Sequence, residues 1–374
     1  MRLTPDQPAA AQAEAEVLFD VVNHVGIVTL NRPRQRNALS YPMVVALSAQ
    51  LLAWAGDDAI RAVVLRGAGD KAFCAGGDVV ALCDSFRDGT PLHRRFFADE
   101  YQLDYLLHRY PKPVVALMDG IVMGGGMGLA QAAHLRLVSE RSRVAMPETG
   151  IGLVPDVGAS HFLSKMPAAL ALYLGLTGVT IGAADALLCG LADAAVPAAT
   201  FADLERRLAG IAWQGEALDD LRHALVPETI AGAADAPLLA AMPALLRHFR
   251  AEATLPQIAA SLSADADPWC ADTLALLRSR SPLMTCVTRE LLLCGRRLDL
   301  ADCFRMEAAV VAQAFLRGDF VEGVRALLVD KDNRPRWRVG AFEDVTGPMV
   351  AAFFEDVPAA SSEGGQATLK VPAS

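Results

Sequence analysis

The residue types best suited to chemistry in this chain are found in two glycine-rich turns and a few acidic residues. Gly124, Gly125, Gly126 and Gly128 follow an apolar run typical of a buried strand, residues 113–118, and precede a segment typical of a helix. Glycine lets a ligand approach the backbone closely, and unpaired amides at a helix start favour negative charge. This turn could stabilise a developing oxyanion, although glycines that serve only a tight turn would give the same pattern.

A second glycine turn is available to face the first. Residues 67–72 have the glycine spacing of a dinucleotide-binding loop, but that loop requires a helix to begin at once. Here the chain continues through residues 73–75 to two further glycines, Gly76 and Gly77. We therefore reject a nucleotide-binding fold and expect two glycine turns that face each other.

Three acidic residues, Glu100, Glu148 and Asp156, each have a simple structural interpretation. Glu148 follows a proline in an apolar segment, which should raise its pKa, but it could be an ordinary loop carboxylate. Glu100 lies in a predicted helix, where a solvated charge is the common case. Asp156 could cap a helix that begins at Val157.

Other kinds of site find little support in the sequence. Ser160 and His161 are adjacent, so their side chains would not face each other, and no Gly-x-Ser-x-Gly segment exists. We expect His161 to be structural. The seven histidines show no metal-ligand spacing, so no metal is predicted. The seven cysteines form no Cys-x-x-Cys pair and are typical of reduced, mostly buried thiols.

Composition limits the class of protein and its partners. The chain has 374 residues and is 53% hydrophobic, but its apolar runs are too short to span a membrane. The net charge of −9, without a cluster of basic and aromatic residues, argues against a nucleic-acid partner. The first residues resemble neither a secretory signal nor a transit peptide, so we predict a cytoplasmic protein.

The order of predicted elements indicates a mixed α/β part followed by a helical part. Two β-rich runs, residues 16–22 and 25–30, flank a short polar turn and predict a hairpin. A helix after Ser40 and a strand at 60–65 follow, and a similar order recurs at 114–144. The predicted organisation is a disordered N-terminus at 1–15, an α/β core at 16–210, a helical region at 211–357 and a disordered tail at 358–374.

Several motifs together resemble one known family. These are residues 73–78 (Phe-Cys-Ala-Gly-Gly-Asp), 123–126 (Met-Gly-Gly-Gly) and Pro147-Glu148, with 31–33 and 37–39 upstream. In order and spacing they resemble the enoyl-CoA hydratase/isomerase, or crotonase, superfamily. Three further segments resemble its 3-hydroxyisobutyryl-CoA hydrolase branch: residues 146–158, 318–326 and 330–337.

The resemblance implies a fold, a substrate class and partners. The fold would be α/β, a crotonase-like spiral of ββα units with an α-helical C-terminal region covering the active site. The substrate would be an acyl-CoA thioester, so no cofactor is needed, because coenzyme A is part of the substrate. We expect no nucleic-acid or membrane partner and leave room for a homo-oligomer.

The resemblance also assigns roles to particular positions. The amides of Gly77 and Gly125 would hold the thioester oxygen, where each donor is typically worth roughly 3–4 kcal/mol. Glu148 would attack the thioester or activate water, and Asp156 would orient water or the substrate hydroxyl. Glu100 would bind the 3-hydroxyl group. Further substrate contacts are expected at Ala75, Gly76, Asp78 and Gly124, and phosphate contacts at Arg32, Arg36 and Lys71.

One departure from the family pattern selects among its reactions. True hydratases of the family carry a glutamate at the position of Gly128. Because that carboxylate is missing here, a hydration mechanism that uses two carboxylates is disfavoured. The predicted function is hydrolysis of a short β-hydroxyacyl-CoA, 3-hydroxyisobutyryl-CoA to 3-hydroxyisobutyrate and CoA, as in valine catabolism. The alternatives are an enoyl-CoA hydratase or isomerase that uses Glu148, and a non-catalytic acyl-CoA-binding protein.

Overall fold

Two sheets form the framework of the protein. A computed structural model describes residues 15–357, so the predicted disordered ends, 1–15 and 358–374, lie outside the described residues apart from Ala15. The strands are β1 (Val17–Val22), β2 (Val25–Leu30), β3 (Ala62–Gly67), β4 (Ala72–Cys74), β5 (Val114–Met118), β6 (Ile121–Met123), β7 (Leu135–Val138), β8 (Arg143–Ala145) and β9 (Ala194–Ala195).

The strand order shows a spiral. One sheet has the order β1-β2-β3-β5-β7-β9 and the other the order β4-β6-β8. Only β1 and β2 are antiparallel; the other pairs within these sheets are parallel. From β3 onward each turn of the spiral adds one strand to each sheet and then a helix. The predicted spiral of ββα units is therefore confirmed.

The predicted hairpin is also present, and its turn explains the register. Val22 pairs with Val25, so Asn23 and His24 alone make the turn, with φ of 46° and 67°. Positive φ at both central residues gives the twist that a two-residue hairpin needs, and asparagine tolerates it well.

Helices connect the strands and make up the rest of the described chain. Those before β9 are Tyr41–Ala55, Val79–Arg87, Leu92–His108, Gly125–Gln131, Ala159–Phe162, Ala168–Thr177 and Ala183–Leu188. Those after β9 are Ala198–Ala202, Leu204–Ala209, Ala217–Leu225, Leu238–His248, Leu255–Ser263, Pro268–Arg278, Pro282–Gly295, Leu300–Arg317, Phe320–Val324 and Gly347–Ala351. Within residues 15–357, no helix combines the length and the apolar character needed to cross a bilayer.

Both faces of the six-stranded sheet are covered, as is usual for parallel strands. Val63 and Leu65 of β3 face the main core, whereas Val64 faces a second apolar cluster. That second cluster includes Leu204 and Leu221. The helices on the two sides of residue 210 thus pack against the same sheet face, and the boundary between 210 and 211 stays a prediction.

The C-terminal helical region packs against one short turn of the chain that precedes β9. This is the 3-10 turn Glu148–Ile151. The amide of Ser281 donates to the carbonyl of Thr149 at 3.1 Å, and the hydroxyl of Ser281 donates to Asp319 at 2.5 Å. Gly323, in the helix Phe320–Val324, lies directly against the carbonyl of Ile151. The position of Glu148 therefore depends on residues far along the chain.

We predict that Gly323→Ala lowers the free energy of unfolding by about 1–3 kcal/mol, the usual range for overpacking. A Cβ there would collide with the backbone oxygen of Ile151, which has no flexible end that can move away. Urea unfolding of Gly323→Ala should be compared with Gly340→Ala, where a Cβ meets nothing within 4 Å. Equal stability of the two variants would contradict this account of the turn.

Candidate active site

The two glycine turns face each other. A Cβ placed on Gly124 would lie 3.3 Å from the Cα of Gly76, and a Cβ placed on Gly76 would lie 3.8 Å from the amide nitrogen of Gly125. Gly76 and Gly124 both have positive φ, 109° and 52°, which L side chains rarely adopt. Side chains at these positions would separate the two turns, so glycine is required for their approach.

The first glycine turn differs from the prediction in where its helix begins. The helix spans Gly125–Gln131, so Gly125 is its first residue and Gly124 its N-cap, whereas the sequence indicated a start after Gly128. The early start puts the amide of Gly125 among those that a helix leaves without an internal partner. No hydrogen bond to a described residue is found for the amide of Gly125 or for that of Gly77. Both remain available to a ligand.

Glu148 lies beside these turns. It begins the 3-10 turn Glu148–Ile151 and is only 5% exposed. A Cβ placed on Gly124 would lie 3.1 Å from its Oε1, and its buried Oε2 has no hydrogen-bond partner among residues 15–357. Burial, together with the charge of Asp156, raises the pKa of Glu148 well above its usual value. Its burial and its unpartnered Oε2 do not fit the interpretation of Glu148 as an ordinary loop carboxylate.

Glu100 approaches the same helix start from another side. The helix Leu92–His108 buries Phe96, Glu100 and Leu107. The carboxyl of Glu100 occupies the space where a side chain of Gly125 would begin. Burial raises the pKa of Glu100 well above its usual value, and nearby Asp104, Asp156 and Glu148 add to the effect. Since Glu100 is 2% exposed, the solvated-charge interpretation is wrong.

Asp156 is held by a tyrosine. The hydroxyl of Tyr101 donates to Oδ2 of Asp156 at 2.6 Å. Burial raises the pKa of Asp156 to about 6, against the opposite effect of the Tyr101 hydrogen bond. The following helix has Gly158 as its N-cap, so the interpretation of Asp156 as a helix cap is wrong.

The sequence did not reveal Glu307, which anchors the loop carrying Asp156. Its carboxylate accepts hydrogen bonds from the amides of Gly158 and Ser160 at 2.7 and 2.8 Å, and from the Ser160 hydroxyl at 2.6 Å. Burial raises the pKa of Glu307 to about 8, although these three donors act in the opposite direction. The Ser160 hydroxyl is thus engaged in a structural hydrogen bond, which agrees with the prediction that Ser160 is not a nucleophile.

A second carboxyl that the sequence did not reveal, Asp104, fills the space beside Gly128. A Cβ placed on Gly128 would lie 2.6 Å from Oδ2 of Asp104 and 2.8 Å from the Cβ of Val157. Glycine at 128 is therefore required by packing. The signal in the sequence was the four-residue spacing from Glu100, which places both acids on one side of the helix.

The residues predicted to contact coenzyme A differ in whether they are free to do so: some are exposed, and others already have partners. Ala75 and Gly76 lie on the loop between β4 and the next helix, but Asp78 already accepts from Ala81 as a helix cap and pairs with Arg32 at 2.9 Å. Arg32 also pairs with Glu16 at 3.0 Å. Arg36 and Lys71 are exposed at the surface.

Residues 318–326 and 330–337, which resemble the hydrolase branch, stabilise the fold and do not contribute groups to this site. Arg325 pairs with Glu322, Asp330 and Asp332 at 2.8, 2.6 and 2.7 Å. These charges close the chain after the helix Phe320–Val324 into a compact loop, and that helix supports the turn of Glu148.

Other clusters and cavities lie away from the glycine turns. Among the described residues, His248, Asp265 and Cys270 place possible metal-ligand atoms within 4.8 Å of one another. Both ring nitrogens of His248 are already hydrogen-bonded, to Ser261 at 2.7 Å and Asp265 at 3.1 Å. Open cavities of about 650 and 850 Å³ are lined by other residues than the three candidate acids.

Comparisons with known proteins agree in the family they indicate. The family model described as enoyl-CoA hydratase/isomerase matches residues 25–354. The chain is 36% identical to the mitochondrial 3-hydroxyisobutyryl-CoA hydrolase of Gallus gallus, covering 91% of this chain and 89% of that protein. It is 36% identical to 3-hydroxyisobutyryl-CoA hydrolase 1 of Arabidopsis thaliana, covering 92% of this chain and 93% of that protein.

A solved structure gives the same result for the fold. The crystal structure of a carnitinyl-CoA dehydratase from Mycobacterium thermoresistibile superposes with a TM-score of 0.84 at 38% identity. The superposition covers 94% of this chain and 99% of the other. Similarity thus extends through the helical C-terminal region.

We predict that Tyr101→Phe raises the pKa of Asp156 from about 6 by about 1–2 units, because a hydrogen bond to a charged group is worth about 1.5–3 kcal/mol. The ring and its packing are kept, and only the donor is lost. Carbon-13 NMR of labelled aspartate, assigned with Asp156→Asn, measures the shift. Tyr105→Phe, on the same helix, is the matched control and should leave Asp156 unchanged. An unaltered titration in Tyr101→Phe would contradict the role of Tyr101.

Proposed function

The chain belongs to the enoyl-CoA hydratase/isomerase family, and on that premise we propose that it hydrolyses a short β-hydroxyacyl-CoA thioester. The substrate is 3-hydroxyisobutyryl-CoA, and the products are 3-hydroxyisobutyrate and coenzyme A, a step of valine breakdown. The observation that supports this most is the position of the Glu148 carboxyl beside two facing glycine turns with unpartnered amides. The names of the Gallus gallus and Arabidopsis thaliana relatives agree with it.

The amides of Gly77 and Gly125 bind the thioester oxygen. When a nucleophile adds to the carbonyl carbon, negative charge develops on this oxygen, and two N–H donors fixed beforehand stabilise it without reorganisation. Gly125 adds the positive end of a helix, although that helix is short. The donors belong to the backbone, so their placement depends on the turns being free of side chains.

Glu148 is the group that acts on the thioester. It either attacks the carbonyl carbon to give an acyl-enzyme anhydride, which water then hydrolyses, or removes a proton from the water that attacks directly. In both routes the C–S bond breaks, one water is consumed, and the sulfur leaves as thiolate and takes up a proton. Both routes require the carboxylate form of Glu148.

Glu100 binds the 3-hydroxyl group, and Asp156 orients either the water or that hydroxyl. Both are buried, and the carboxyl of Glu100 lies beside Gly125, the neighbour of Gly124 against which the Glu148 carboxyl packs. None of the groups acting on these pKa values is a cation. A neutral hydroxyl can exchange hydrogen bonds with such acids, whereas an acyl chain ending in a carboxylate would meet uncompensated negative charge.

Coenzyme A binds along the β4 loop. Ala75, Gly76, Asp78 and Gly124 contact it, and the exposed Arg36 and Lys71 meet its phosphates better than Arg32, which is already paired. No cofactor is needed. Cytoplasmic location and assembly into a homo-oligomer stay predictions; the name of the Gallus gallus relative includes the word mitochondrial.

Hydration or isomerisation of an enoyl-CoA is the second candidate, because the relative from Mycobacterium thermoresistibile carries the name of a dehydratase. What disfavours it is the packing at Gly128, where Asp104 and Val157 leave no room for a side chain. A silent acyl-CoA-binding protein is the third candidate.

We predict that the purified protein releases free thiol from 3-hydroxyisobutyryl-CoA and that Glu148→Gln lowers kcat by about 100-fold or more, the usual size of a lost general base. Glu140→Gln, at an exposed site, is the control and should keep the activity. Methylmalonyl-CoA, which replaces the CH₂OH group by a carboxylate, should be a poor substrate. Crotonyl-CoA is tested in parallel by the loss of its enoyl absorbance.

The outcomes separate the candidates. Thiol release that depends on Glu148 supports hydrolysis. Loss of enoyl absorbance without thiol release would replace hydrolysis by hydration, and binding of coenzyme A with neither reaction would leave only a binding protein.

A further inference from the structure

Residues 37–39, one of the motifs that resemble the family, have no task in the mechanism above. They lie beside the loop that follows β4. The amide of Leu39 donates to the carbonyl of Gly76 at 2.8 Å, and the amide of Asp78 donates to the carbonyl of Leu39 at 2.8 Å. Leu39 and Gly77 also form a parallel β-bridge. The backbone of Leu39 is therefore bonded to the chain on both sides of Gly77.

The hydrogen bond to Gly76 fixes the direction of the Gly77 amide. The carbonyl of Gly76 and the N–H of Gly77 belong to one peptide unit, and in a planar trans unit these two groups point in opposite directions. Because Leu39 donates on one side, the N–H of Gly77 faces away from Leu39. The thiol of Cys74 donates to the same carbonyl at 3.6 Å. Donors to a carbonyl polarise the peptide unit, which strengthens its N–H as a donor.

The amide of Gly125 is oriented in the same manner, but by local partners. The carbonyl of Gly124 shares a peptide unit with that amide, and it accepts from the amides of Met127 at 2.7 Å and Gly128 at 3.2 Å. The start of one helix is thus enough to orient this donor. The Gly77 amide depends instead on a separate segment of the chain, and so on whatever holds Leu39 in place.

Asn37 holds that segment in place. It has 0% exposure and a φ of 57°, a conformation that asparagine adopts more readily than most L residues. Its Nδ2 donates to the carbonyls of Ala68 at 3.0 Å and Ala72 at 2.8 Å. Its Oδ1 accepts from the amide of Arg32 at 3.0 Å. One buried side chain therefore joins three backbone segments, and both of its N–H donors are used.

We propose that Asn37 is a positioning residue for the thioester oxygen: its side chain fixes the segment of Leu39, and the Leu39 amide orients the N–H of Gly77. This role rests on the proposed hydrolysis and gives the motif at 37–39 a task in it. Asn37 does not touch the substrate. Its loss should misalign one donor and leave the other, Gly125, in place, so that the transition state is weakened more than substrate binding.

The first test is Asn37→Asp, which keeps the shape and the acceptor of the side chain but removes both N–H donors. We expect kcat for 3-hydroxyisobutyryl-CoA to fall about tenfold and KM to change by less than about twofold. Removing a whole oxyanion donor costs about 10²–10³ in kcat, and here the donor is displaced and not removed. Asn37→Gly permits the positive φ without a side chain, should act in the same direction, and replaces Asn37→Asp if the added carboxyl prevents folding.

Asn23→Asp is the matched control. Asn23 also has a positive φ, 46°, and its Nδ2 also donates to two carbonyls, those of Leu208 at 2.8 Å and Ile211 at 2.9 Å. It precedes β2, whereas Asn37 follows β2. Asn23→Asp should lower stability but keep the kcat of the folded protein. Equal losses of kcat in Asn23→Asp and Asn37→Asp would mean that Asn37 acts only through stability, and that result would overturn the proposal.

A vibrational measurement follows the Gly77 donor without turnover. Carbon-13 is placed in the thioester carbonyl of 3-hydroxyisobutyryl-CoA, which is bound to Glu148→Gln, and isotope-edited infrared difference spectra give the carbonyl stretch. Hydrogen bonds to the oxygen lower this frequency because they weaken the C=O bond. Adding Asn37→Asp should therefore raise the frequency, and adding Asn23→Asp should leave it unchanged.

The results separate this proposal from the proposed hydrolysis. A band that does not move on adding Asn37→Asp overturns the role of Asn37, even if the wild type releases thiol. A band that moves, in a protein whose wild type cleaves no thioester, overturns the hydrolysis and leaves the role of Asn37 in place. A band in Glu148→Gln at the frequency of the unbound thioester overturns both.

Discussion

The structure depends on one constraint: several carboxyl groups are buried together, at the start of one helix, with no cation among the groups that act on them. Glu100, Asp104, Glu148 and Asp156 are each at most 5% exposed. Taking a carboxylate out of water is costly unless it is paired or hydrogen-bonded, so such a cluster must retain protons. Burial raises the pKa of all four acids, so groups suited to proton transfer lie beside the two glycine turns.

The glycines make the burial of these carboxyl groups possible. The space next to Gly125 is filled by the Glu100 carboxyl and that next to Gly128 by the Asp104 carboxyl. Backbone and carboxyl groups approach each other only because side chains are absent. The two turns consequently supply amide donors and acid groups in one small volume, and a single methyl group would disturb either.

The long helical region after β9 gives this arrangement its rigidity. Glu307 holds the loop of Asp156 through three hydrogen bonds, Ser281 binds the turn of Glu148, and Gly323 packs on its end. The acids that approach the glycine turns are thus fixed by contacts more than a hundred residues apart in the chain.

The sequence predicted what depends on local pattern. The hairpin at Val17–Leu30 and the glycine turns follow from periodicity and composition, and the candidacy of Glu148 follows from the resemblance of its motif to the family. It could not predict Glu307 as a partner of Ser160, because a contact between residues 147 positions apart leaves no mark in a single sequence. For Asp104 the sequence showed only its four-residue spacing from Glu100. Its position beside Gly128 could be seen only in the structure. The helix start at Gly125 was misplaced because glycine is a poor helix former and tertiary packing overrides that preference.

The most direct test of the central claim is a crystal structure of Glu148→Gln soaked with 3-hydroxyisobutyryl-CoA. The account predicts that the thioester oxygen lies about 2.7–3.1 Å from the amide nitrogens of both Gly77 and Gly125, with the side chain of residue 148 facing the carbonyl carbon. A thioester oxygen bound to neither amide, or an acyl group placed away from residue 148, would contradict it.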